Sequence, residues 1–234
     1  TLVGRQFKQR KTDISDLQFQ RDTLANNERE LKKEVQRLLA LAGDSAIVTP
    51  KPATGQLIKN GFVNIAQFDP AIGISLRYAT AENFTGQAVY DYNTCILTVD
   101  TAKKLLKVSE QVQKDGFFLK VWDGYREPEA SWALWNSWPD PNFVSNPDMG
   151  DTHCRGTAVD LTLVDANGNE LAMPSGYDDF TALAYGAMAE GMAYDNWQYL
   201  KRAMEQNGFV SIANEWWHYD DSDSGDYIVT EIDV

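Results

Sequence analysis

The chain contains only two histidines, and both sit near carboxylates at spacings that suit a metal site. His153 opens the run His153-Cys154-Arg155-Gly156-Thr157-Ala158-Val159-Asp160, and His218 closes the run Glu215-Trp216-Trp217-His218. His153, Asp160 and His218 supply two imidazoles and one carboxylate. Three protein ligands leave a fourth position for water, the open arrangement of catalytic zinc rather than the closed one of structural zinc. Glu215 is then a natural general base for that water. Two histidines and a carboxylate also describe a non-haem iron triad, but there one His and the carboxylate usually lie two residues apart on one strand. Cys154 is a poor fourth ligand, because neighbouring side chains diverge and a thiolate would close the site.

The elements that carry these residues set conditions on the reading. Thr157–Val164 alternates as a strand, with Val159, Leu161 and Leu163 on one face and Ala158, Asp160 and Thr162 on the other. Small neighbours leave room beside Asp160, and a buried carboxylate needs a partner. Gly156 lets the chain turn back so that His153 can approach Asp160. Residues three apart in a regular strand face opposite ways, so Glu215 and His218 can share a site only if the chain bends or turns near Trp216-Trp217. At least one of these tryptophans is expected to wall the site. Arg126 follows an apolar strand in Trp122-Asp123-Gly124-Tyr125-Arg126, where a guanidinium can stabilise an oxyanion.

Further out, Ile72–Tyr78 and Phe117–Trp122 read as strands. Thr101–Lys114, Asp179–Met192 and Asn196–Asn207 read as helices, the last stopping at Gly208. The body, residues 57–234, is expected to be α+β, a small mixed or antiparallel sheet flanked by helices with the zinc site in a central cleft. Before it, residues 45–56 hold Pro50, Pro52 and Gly55 and read as a linker. Residues 1–44 read as one long helix, with Leu17, Leu24, Leu31 and Leu38 at heptad spacing. The other heptad seam includes Arg21 and Glu28, so this is a weak coiled coil: a spacer, a homo-oligomerisation stalk, or a helix lying on its own domain.

Charge narrows the partners. Residues 1–42 hold nine basic and six acidic residues, which leaves 12 basic and 28 acidic residues for the rest. So acidic a body excludes nucleic acid, whose phosphates need clustered positive charge. Cys95 and Cys154 form no Cys-x-x-Cys unit and could pair or stay free. The chain begins at Thr1 rather than Met, which points to an upstream segment. With the stalk-like helix this favours the cell envelope or periplasm, the cytoplasm being the alternative.

At the level of motifs the chain resembles the D-Ala-D-Ala metallopeptidases of peptidase family M15, and among them the VanX-type D-alanyl-D-alanine dipeptidases. The resemblance rests on His153…Gly156…Ala158…Asp160 and on Glu215-Trp216-Trp217-His218-Tyr219. It extends to Leu76-Arg77-Tyr78-Ala79-Thr80, Asn83-Phe84-Thr85-Gly86, Trp122–Arg126, Asp160–Leu163 and Asn207-Gly208-Phe209, in order across roughly residues 65–220. It implies one zinc ion held by His153, Asp160 and His218, with Glu215 as base and Arg126 as stabiliser of the tetrahedral intermediate. It implies a small D-amino-acid dipeptide as substrate, its ammonium on Asp178 and Tyr78 lining the pocket. The family often has Ser two residues before the first His. Asp151 stands there instead and is expected to add a second carboxylate for the ammonium. A D,D- or L,D-carboxypeptidase of peptidoglycan stem peptides and a non-catalytic cell-wall-binding module are the alternatives.

Overall fold

The computed structural model describes residues 57–58, 61–226 and 228–229. The expected helix over 1–44 and the linker over 45–56 lie outside these residues. The body is α+β, as its patterning predicts, and is built on two sheets. The smaller is antiparallel, in the order β1 (Leu57–Ile58), β2 (Phe62–Asn64), β4 (Ile96–Thr98). The larger runs β3 (Gly73–Ile74), β5 (Phe118–Asp123), β6 (Ala158–Val164), β8 (His218–Asp221), β7 (Phe209–Ser211). It is antiparallel except where β3 pairs with β5.

The central strand β6 is buried at all seven positions. Its odd-numbered residues Val159, Leu161 and Leu163 join the main core. Helix α2 (Val99–Lys114) packs on β5, and helix α4 (Gly191–Gln206) packs on β6, on β7 and on α2. Their apolar residues Leu105, Val108, Val112, Leu200, Ala203 and Met204 fill that core. Thr98 starts α2 by accepting from the Thr101 amide, which satisfies one of the free N–H groups of a helix start. The short α1 (Ile65–Phe68) and α3 (Pro128–Ser137) complete the helices among the described residues, Pro128 standing where its missing N–H costs nothing. No helix among them is long and apolar enough to cross a membrane.

Three expectations are corrected. The span Asp179–Met192 is not one helix: a 3-10 turn over Ala182–Tyr185 ends at Gly186, with φ +64°, and α4 begins only at Gly191. Gly186 lies against the Trp197 ring, where a Cβ would come within 2.6 Å, so close packing rather than helical periodicity decides its conformation. Helix α4 therefore starts at Gly191 rather than Asn196, and stops before Gly208 at φ +89°. Of Ile72–Tyr78 only Gly73–Ile74 pairs as a strand, and Arg77–Ala79 coils into a 3-10 turn. Both cysteines are free and buried.

The sheets meet at the turn after His153. Gly156 adopts the left-handed conformation at φ +66°, and its carbonyl accepts from the Thr98 amide of β4 at 2.9 Å. A Cβ there would stand 2.5 Å from the Phe62 ring. Gly156→Ala combines a left-handed penalty with overpacking and is expected to cost about 2–4 kcal/mol. Denaturant unfolding of the variant reads this directly, and an unchanged midpoint would show that the turn relaxes freely.

Candidate active site

Strand register assembles the site. Asp123 of β5 is the partner of Asp160 on β6, and Asp160 is the partner of His218 on β8. Three polar residues thus form one row across the sheet, beside a register shift in β5 between Val121 and Asp123. His153 reaches the row from a one-turn 3-10 helix, His153–Arg155, closed by Gly156. Glu215 lies just before β8, where the His218 amide donates to the Glu215 carbonyl at 3.3 Å. This tight turn replaces a straight strand, so side chains three residues apart point the same way. Glu215 Oε2 is 3.9 Å from His218 Nδ1.

The ligand atoms converge. Asp160 Oδ1 lies 2.9 Å from His218 Nδ1 and 3.4 Å from His153 Nε2, and the two nitrogens are 3.2 Å apart. Bonds of about 2.0–2.1 Å in a tetrahedron give ligand–ligand edges of about 3.3–3.4 Å, close to these spacings. The outer ring nitrogens fix the inner ones. His153 Nδ1 donates to the Gly124 carbonyl at 2.7 Å, and His218 Nε2 donates to Asp220 Oδ1 at 3.1 Å. Lone pairs of both rings are then aimed at one point, where they repel unless a cation sits between them. All three residues are buried, and among the described residues they form the cluster able to hold a metal ion. Two histidines and one carboxylate suit a borderline-soft dication such as zinc.

Electrostatics agree. Burial opposes the ionised form of Asp160, but His153 and His218 outweigh it and hold the carboxyl far below its ordinary range. Burial likewise opposes charge on His218, yet its bonds to Asp160 and Asp220 raise its pKa well above the ordinary value. Without a cation, then, this cluster holds protons. Burial pushes Glu215 up to about 7, which suits a group that takes and returns a proton near neutrality.

The Asp160 carboxylate is steadied on its other oxygen, where Tyr177 donates to Oδ2 at 2.9 Å. The Tyr177 ring packs against Trp122 and Trp217, with centroids at 5.1 and 5.5 Å. Trp216 and Trp217 are both core residues, and Trp217 also walls the cavity.

Arg126 lines the cavity but is anchored from behind. Nε and Nη2 donate to Asp123 Oδ2 at 3.1 and 2.7 Å, and Nη1 donates to Asp151 Oδ2 at 3.3 Å. Three of the five guanidinium N–H groups are so used, leaving two. Its cation stands 5.2 Å over the Tyr78 ring. Asp151 corrects an expectation. It is 2% exposed and does not line the cavity. Its oxygens accept from Ser131 Oγ at 2.5 Å, from the His153 amide at 2.9 Å and from Arg126. It braces His153 and Arg126 from outside the cavity lining.

Tyr78 and Asp178 meet across the fold, the phenol donating to Asp178 Oδ1 at 3.1 Å. Asp178 Oδ2 is buried with no partner, and Asp178 is the described non-glycine residue with positive φ, at 56°. Burial, with Asp160 and Glu215 nearby, raises its pKa well above the ordinary value. The cavity measures 280 Å³, and residues 141–145 form part of its wall. Asn214, next to Glu215, donates its amide to the Asn142 carbonyl and ties that segment down.

Sequence reasoning assigned no role to Asp123, Tyr177, Asp220 or residues 141–145. For Asp220 there was a signal: it lies two residues after His218 on a strand, hence on the same face.

His153→Ala, Asp160→Asn and His218→Ala are each expected to abolish stoichiometric binding of zinc while leaving the far-ultraviolet circular dichroism intact. Equilibrium dialysis with metal analysis reads the first, and retained one-to-one binding in any of the three would sink the ligand set.

Residues 58–232 match the peptidase M15 family model described as D-ala-D-ala dipeptidase. A D-alanyl-D-alanine dipeptidase of Escherichia coli K12 is 39% identical over 160 residues, 68% of this chain and 83% of that protein. One of Enterococcus faecium is 31% identical over 182 residues, 68% of this chain and 90% of that protein. Among solved structures, a vancomycin resistance D,D-pentapeptidase VanY with Zn(II) aligns at 15% identity and a TM-score of 0.40, covering 56% of this chain and 75% of that one. The chain is therefore a metallopeptidase enzyme and belongs to the M15 family of D-Ala-D-Ala dipeptidases.

Proposed function

We propose that the protein hydrolyses the free dipeptide D-Ala-D-Ala to two D-alanines, using one zinc ion held by His153, Asp160 and His218. The observation that carries the reading is one small cavity lined by two features. One is the His153–Asp160–His218 cluster with Glu215 beside it. The other is the buried, unpartnered oxygen of Asp178. A buried carboxylate oxygen without a partner is costly, and an ammonium group satisfies it.

Zinc bound there supplies Lewis acidity toward the scissile carbonyl and lowers the pKa of water. The chain's own residues do the rest. Asp178 holds the ammonium end, with Tyr78 fixing the carboxylate's orientation. Arg126 turns its two remaining N–H groups toward the oxygen that gains charge as water adds to the carbonyl carbon. Its position is preset by Asp123 and Asp151, so little reorganisation is needed. Glu215 takes the proton from the attacking water and returns it to the amine nitrogen as the C–N bond breaks. Residues 141–145 exclude bulk water and limit the length of peptide that fits.

Protein carrying one equivalent of zinc is expected to release D-Ala from D-Ala-D-Ala, and no release would refute the reading. Glu215→Gln should keep the metal and lose turnover by about 10²–10⁴-fold. Activity must fall as pH drops through the pKa of Glu215, because only the ionised carboxylate accepts the proton. A neighbouring dication lowers that pKa, so the acid limb of kcat/KM should lie at or below about 7.

N-acetylation of the substrate separates a dipeptidase from a carboxypeptidase, since only the former depends on the ammonium. The acetylated dipeptide should be refractory, and its ready cleavage would move the assignment to a carboxypeptidase. Asp178→Asn, which tolerates the same backbone conformation, is expected to raise KM by roughly 10–100-fold, the worth of one charge-assisted hydrogen bond.

A further inference from the structure

We propose that Asp220 is a positioning residue for the metal, one carboxylate that braces both histidine-bearing segments at once. The inference rests on the metal-site reading above and extends it to a residue outside the ligand set.

The two histidines present opposite nitrogens to the cluster. His153 points Nε2 inward and gives its outer nitrogen to a neutral acceptor, the Gly124 carbonyl. His218 points Nδ1 inward and gives Nε2 to the Asp220 carboxylate at 3.1 Å. The strand makes this possible. His218 and Asp220 are alternate residues of β8, so they share a face, and β8 is held in register against β6 by the pairs Asp160↔His218 and Ala158↔Asp220. A ligand that coordinates through Nδ1 keeps its outer nitrogen on the far side of the ring. Asp220 is therefore not a fourth ligand but the group that sets the ring's angle. A carboxylate behind a metal-bound imidazole also makes it a stronger donor.

The Thr152 side chain stands beside the same carboxylate, and both residues line the cavity. Thr152 precedes His153 and is the residue on which the 3-10 turn is built: its carbonyl accepts from the amides of Arg155 and Thr157. Asp220 thus stands between the loop carrying one ligand and the strand carrying the other. Asp160 lies between them on β6, so the contact closes the ligand set from outside. Its side chain is 25% exposed and lines the cavity mouth, which leaves it free of the core's packing demands.

The test is zinc affinity, read by competition with a chromophoric chelator, on the purified full chain with no substrate present. Asp220→Ala is expected to weaken zinc binding by roughly 10–100-fold. Asp220→Asn, which keeps an acceptor and loses the charge, should fall between that and the parent protein. Thr152→Val, which leaves the His218 contact intact and removes only the second anchor, should weaken binding less than Asp220→Ala. Thermal unfolding of the metal-free proteins supplies the control. A positioning role predicts weakened metal binding with the metal-free melting temperature within about 2–4 °C, the shift from about 1 kcal/mol in a domain this size. Unchanged zinc affinity in Asp220→Ala overturns the proposal, as does a loss that simply tracks a fall in metal-free stability. If Asp220→Ala does not fold, Asp220→Asn and Thr152→Val carry the comparison. Cobalt substitution adds a signature, since a mis-set His218 ring alters the visible absorption of the bound ion. Because no substrate is used, failure to cleave D-Ala-D-Ala would leave this result standing, and the converse also holds.

Discussion

The register of three neighbouring strands is the constraint on which the site depends. β5, β6 and β8 align Asp123, Asp160 and His218 in one row. Side chains alternate across a strand, so a slip of one residue in either pairing would send a member of the row into the apolar layer and bring Val159 or Leu161 to the cavity. The core enforces the register. Val159, Leu161 and Leu163 share one core with the apolar residues of α2 and α4. Stability and chemistry are therefore set by one alternation pattern, the core reading Val159, Leu161 and Leu163 and the site reading Asp160.

A second layer follows from placing many charges where water is scarce. Asp123, Arg126, Asp151, His153, Asp160 and His218 are all buried. A buried charge is tolerated only when paired and hydrogen-bonded, and these are chained together. Asp123 accepts from Tyr90, from the Gly124 amide and from Arg126; Asp151 accepts from Arg126, Ser131 and the His153 amide. The chain of contacts runs from the Arg126 guanidinium to the backbone of His153, so neither can shift alone. Such a network costs more than an apolar core would and returns positional accuracy, which a site needs to within fractions of an ångström.

Much of this was legible in the sequence because the carrying residues are rare or constrained. Two histidines leave little choice of ligands, and the alternation of β6 places Asp160 opposite the apolar residues. The requirement that Glu215 and His218 share a side announced a turn, and the turn is there. Other features were not legible. Asp151 reads as one more cavity acid until its partners are seen, because a neighbouring guanidinium and serine hydroxyl decide where a carboxylate points. Asp123 lay inside a recognised motif and Tyr177 beside Asp178, neither with a role attached, since a support is defined by contacts between segments remote in sequence. The region 179–192 has helical spacing, yet the packing of Gly186 on Trp197 overrides it.

The balance of charge in the cavity connects these layers to substrate choice. Asp160, Asp178, Glu215 and Asp220 all line it, while the Arg126 cation is matched by Asp123 and Asp151 behind it. Acidic groups therefore outnumber cations around the cavity, an imbalance that adds to burial in raising the pKa of Asp178 and Glu215 and that favours bound cations. Under the proposed function, a dication at the histidine cluster answers part of it and an ammonium at Asp178 another part. On this reading the substrate must place a positive nitrogen at Asp178 while its carbonyl stands at the metal. A longer chain that offers an amide nitrogen at Asp178 leaves that carboxylate uncompensated in a poorly solvated place. Discrimination then comes from the penalty on the wrong substrate as much as from attraction of the right one.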